Sequence, residues 1–131
     1  SMRIPPTTDA SKAKEKINSV LLDNVPYQAK VSLDFEEAAC GWNAPETSSW
    51  LLEAIEKASN TYYGEDPCSI GEGGTIPFMA MLGEQFPKAQ FVITGVLGPH
   101  SNAHGPNEFL HIPFAKKLTC CISSIISDFK K

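Results

Sequence analysis

Hydrophobic and polar positions along the chain follow two periods. Between residues 9 and 22, Ala13, Ile17, Val20 and Leu21 share one face of a helical wheel while Lys12, Lys14, Glu15 and Lys16 lie mostly on the other. That is the pattern of an amphipathic helix. Thr8 and Asp9 offer N-caps after Pro5-Pro6, and Asn24 and Pro26 end the helix. A second helix is predicted over 47–62, with Trp50, Leu51, Ala54, Ile55 and Ala58 as its buried stripe and Gly64, Asp66 and Pro67 beyond its end. A third is predicted over 76–85, started by Thr75 and closed by Phe86-Pro87. The fourth, over 112–129, repeats Phe114, Leu118, Cys121, Ile122, Ile125 and Phe129 at helical spacing.

The other period is two. From Gln28 to Phe35, Ala29, Val31, Leu33 and Phe35 alternate with Gln28, Lys30, Ser32 and Asp34, which predicts a half-exposed strand. With Met2 to Ile4 as a further strand, the opening segment is expected to be a βαβ piece. Cys68 to Ile70 reads as a short strand, and Ala89 to Leu97 as an apolar strand buried on both faces. Helix and strand alternate from Thr47 onward, so the expected fold class is α/β, a partial sheet with flanking helices.

Composition narrows the function classes. The chain has 131 residues, 42% hydrophobic and 20% charged, which is ordinary globular composition. A net charge of -4 gives no electrostatic reason to bind nucleic acid or an anionic membrane. No apolar run is long enough for a membrane span, and the N-terminus has no basic-then-apolar signal pattern. Cys120 and Cys121 are adjacent in a predicted helix and no C-x-x-C occurs, so free thiols and a reducing, cytoplasmic setting are expected.

Two polar segments carry the candidate chemistry. Gly71 to Pro77, G-E-G-G-T-I-P, joins a predicted strand to a predicted helix, where glycines allow close backbone approach and free N–H groups favour an anion. It lacks the lysine of a phosphate-binding loop and the third glycine of a dinucleotide turn. Gly98 to Glu108, G-P-H-S-N-A-H-G-P-N-E, places His100 and His104 at a helical interval, but Gly98-Pro99 and Gly105-Pro106 bracket them and predict a loop. Nothing marks an activated nucleophile: G-x-S-x-G is absent, and Glu36-Glu37 reads as solvated surface.

Taken together, G-E-G-G-T-I-P and, one helix and one strand later, A-H-G-P-N-E-F-L resemble the C-terminal half of the catalytic domain of the co-catalytic zinc exopeptidases, the family of carnosinase, cytosolic non-specific dipeptidase, aminoacylase and carboxypeptidase G. R-I-P-P-T-T-D near the start is similar to a strand-to-helix junction late in the lid, or dimerisation, domain of those enzymes. The resemblance covers nearly the whole chain in the right order. It implies that 1–38 is the end of the lid domain and 39–131 the C-terminal part of the catalytic domain. It implies that His104, followed by Asn107-Glu108, is a metal ligand, with Glu108 or Asn102 supporting it. Gly73, Gly74 and Thr75 would hold the substrate's terminal carboxylate with Glu72 lining the pocket, and Arg3 would clamp the same group. The resemblance places no counterpart for His100, which is read as a loop or substrate-side residue.

The family's remaining zinc ligands and general-base glutamate come from motifs before the lid: an H-x-D segment, a bridging Asp and a Glu-Glu pair. None is present, and Glu36-Glu37 lies on the wrong side of the lid. The expectation is therefore a fragment of something larger, inactive alone. Its parent would hold two zinc ions, which the fragment would not bind tightly, and would hydrolyse the amide bond of a dipeptide by metal-activated water. An N-acyl-amino-acid deacylase of the same family is the nearest alternative. A self-contained, non-catalytic module that pairs with itself is another, and a homo-oligomer is expected because a truncated sheet exposes edges.

Overall fold

The computed structural model describes residues 2–71 and 77–129. Among these described residues four α-helices follow in order: α1 (Ala10–Leu22), α2 (Ser49–Tyr62), α3 (Pro77–Gln85) and α4 (Ile112–Asp128). The chain divides into two compact units, one made of Ser1–Ala44 with Gly71–Ala89 and the other of Pro45–Ile70 with Gln90–Lys131.

All four predicted helices form. In the first unit Asp9 caps α1, its carboxylate accepting from the Lys12 N–H at 2.9 Å. Ala10 is buried, Ala13 and Ile17 are half-buried, and Val20 and Leu21 are exposed, so the apolar stripe is covered only toward the start of the helix. Lys14 places its ammonium 5.3 Å from the centre of the Phe35 ring.

The second unit holds the packed core. Leu51, Ala54 and Ala58 of α2 meet Cys121 and Ile125 of α4, with Ile55, Tyr62, Tyr63 and Ile122 partly buried around them. The small residues Ala54 and Ala58 let the two helices approach, and the Cys121 thiol reaches the Ala58 carbonyl oxygen at 3.5 Å. Burial pushes the Cys121 thiol above its ordinary value, and the neighbouring Cys120 adds to the rise. Full burial of Leu51 is worth about 1.5–3 kcal/mol relative to exposure. At the rim, Trp50 and Phe129 bring their rings to 5.2 Å, and Lys57 pairs with Asp128 at 2.8 Å.

The sheet does not form. Among the described residues there is no strand, and the α/β expectation, including the βαβ piece at the start, is overturned. Residues 2–4, 28–35, 68–70 and 89–97 have strand-like patterns, but none enters a ladder. Pro26–Gln28 is a short 3-10 turn in which Tyr27 and Gln28 take φ of 58° and 53°, so the alternation begins in left-handed backbone. The run expected to be buried on both faces is uncovered: Val92 to Leu97 are exposed, Ile93 at 58%. A two-residue period states which faces a strand would have. It does not supply the neighbour whose N–H and C=O groups must pair with it.

Candidate functional site

The second unit also carries the loop with the paired imidazoles, and its geometry is set at its base. Gly98 takes φ +68° and lies against the start of α4, where a Cβ added to it would sit 2.5 Å from the Cβ of His111. Only glycine fits both the backbone hand and the contact. Ser101, 2% exposed, turns its hydroxyl back onto the carbonyl oxygens of Leu97 and Gly98, and its own carbonyl accepts from the Phe109 N–H at 3.2 Å. The loop is thus pinned from inside.

Its outer part is built from left-handed residues. His100, Asn102, His104 and Asn107 have φ of 62°, 53°, 57° and 58°. Asn102 donates through Nδ2 to the Pro106 carbonyl at 2.7 Å and its carbonyl accepts from Gly105 N–H at 2.9 Å. Glu108 accepts the backbone N–H of His104 through Oε2 at 2.9 Å. That contact is to the main chain of His104 and not to its ring. Asn102 braces the following turn instead. Both imidazoles are exposed.

The other candidates fall out differently. Arg3 is exposed in the first unit, just before a turn closed by the Thr8 N–H on the Pro5 carbonyl at 3.0 Å. Glu72, Gly73, Gly74 and Thr75, the expected carboxylate-binding segment, lie outside the described residues.

His104 offers an exposed nitrogen donor on a braced loop, which suits a metal ligand. A centre needs about three protein donors, and among the described residues no group of three His, Cys, Asp or Glu stands close enough to share an ion. The described residues therefore do not make a complete zinc site.

Sequence reasoning passed over two residues that shape this region. Ser101 is one; a small hydroxyl residue two places after Gly98-Pro99, able to bond back to its own turn, was the available signal. His111 is the other: it caps α4, its Nδ1 accepting from the Phe114 N–H at 3.1 Å. Pro113 in the first helical turn marked the start of α4 and hence the cap position.

No helix among the described residues is long and apolar enough to cross a membrane. No protein-family model matches the chain. It is 29% identical over 126 residues to a cysteinylglycine-S-conjugate dipeptidase of Corynebacterium striatum, a match that takes in 88% of this chain. The chain spans 27% of that protein's length. The similarity supports a distant relationship to a dipeptidase.

Proposed function

We propose that this chain is part of a zinc-dependent exopeptidase that cleaves dipeptides, contributing His104 as one metal ligand and Arg3 with Glu72, Gly73, Gly74 and Thr75 as the residues that hold the substrate's terminal carboxylate. The observation that carries the reading is the similarity to the corynebacterial dipeptidase along 88% of the chain. His104 supports it by standing exposed on a loop fixed at both ends, with its main chain held by Glu108. In the whole enzyme the zinc pair would supply the activated water. Among the described residues no group of three donors stands close enough to hold an ion. The parts proposed are the end of a lid domain, 1–38, and the C-terminal part of a catalytic domain, 39–131, acting in the cytoplasm as a homo-oligomer. By itself the chain is proposed to be inactive. A deacylase acting on N-acyl amino acids would use the same carboxylate contacts and is separated by substrate.

Calorimetric titration of the chain with zinc tests the ligand assignment. The expected result is weak binding that His104→Ala abolishes, since a lone imidazole is far from a full donor set. Tight stoichiometric binding overturns the fragment reading, and binding untouched by His104→Ala overturns the ligand. Hydrolysis of an S-conjugated cysteinylglycine by the longer enzyme, reduced at least ~100-fold by His104→Ala, is the expected functional result. Unchanged turnover refutes it.

A further inference from the structure

We draw no further inference here: the strongest candidate, the exposed apolar surface patch from Val92 to Leu97 that leads into the histidine loop of the second unit, carries nothing further because nothing in the structure shows what covers it.

Discussion

Replacing Gly98 with alanine is the sharpest probe of the loop base. Two costs arise from separate causes. Alanine at φ +68° occupies the left-handed region, at about 1–2 kcal/mol. Its Cβ would lie 2.5 Å from the Cβ of His111, an atom fixed to the backbone that cannot swing away, so the chain must shift at about 1–3 kcal/mol. Stiffening of the unfolded chain returns about 0.4–1 kcal/mol. The net expectation is a destabilisation of about 2–4 kcal/mol, a large part of the ~5–15 kcal/mol typical of a domain. Urea unfolding followed by Trp50 fluorescence in a Trp42→Phe background reports on the second unit alone, because Trp42 belongs to the first. With a urea slope of about 2 kcal/mol per molar, the midpoint should fall by roughly 1–2 M. Gly95→Ala is the control: a Cβ there meets nothing within 4 Å, and its midpoint should hold or rise slightly. Equal midpoints for the two alanine variants would refute the packing argument.

Two further outcomes follow from the core. Leu51→Ala, at a site 1% exposed between two helices, should cost about 2–5 kcal/mol in the same assay, and a cost below ~1 kcal/mol would mean that α2 and α4 are not packed as described. Stability should also decline at alkaline pH. Because burial holds the Cys121 thiol above its ordinary value, the unfolded chain releases that proton first, so stability is intact below about pH 8.5 and falls as pH rises beyond it. Tyr63, raised by its own burial and by Cys121, adds to the decline at higher pH. Cys121→Ala should remove the first part of the slope, and an unchanged pH profile would count against the thiol as its source.

The helices were legible because each carried its period and its punctuation together. Asp9 before the α1 stripe and Pro113 inside the first turn of α4 fix where winding begins, and both are local signals. Trp50 was expected in the stripe of α2 but keeps 37% of its surface exposed; it lies at the first turn, at the rim of the core, where its ring meets that of Phe129. The strand assignments failed for the opposite reason. A ladder is non-local, and nothing in Ala89 to Leu97 states which segment should pair with it. At the loop, the breakers Gly98-Pro99 and Gly105-Pro106 correctly excluded a helical histidine pair. The sequence could not reveal that Glu108 would spend its carboxylate on the His104 main chain, since that bond depends on the left-handed turn between them.

The same backward-wound residues govern how the loop tolerates replacement. Asn102 and Asn107 belong to the few side chains that adopt that hand at little cost, and a valine or isoleucine at either site would be rejected by its own main chain. A saturation scan would therefore score both asparagines as sensitive even if neither ever touches a ligand. Glycine is the diagnostic replacement: it relieves the torsional demand, so whatever deficit survives at an asparagine-to-glycine change belongs to the amide group itself.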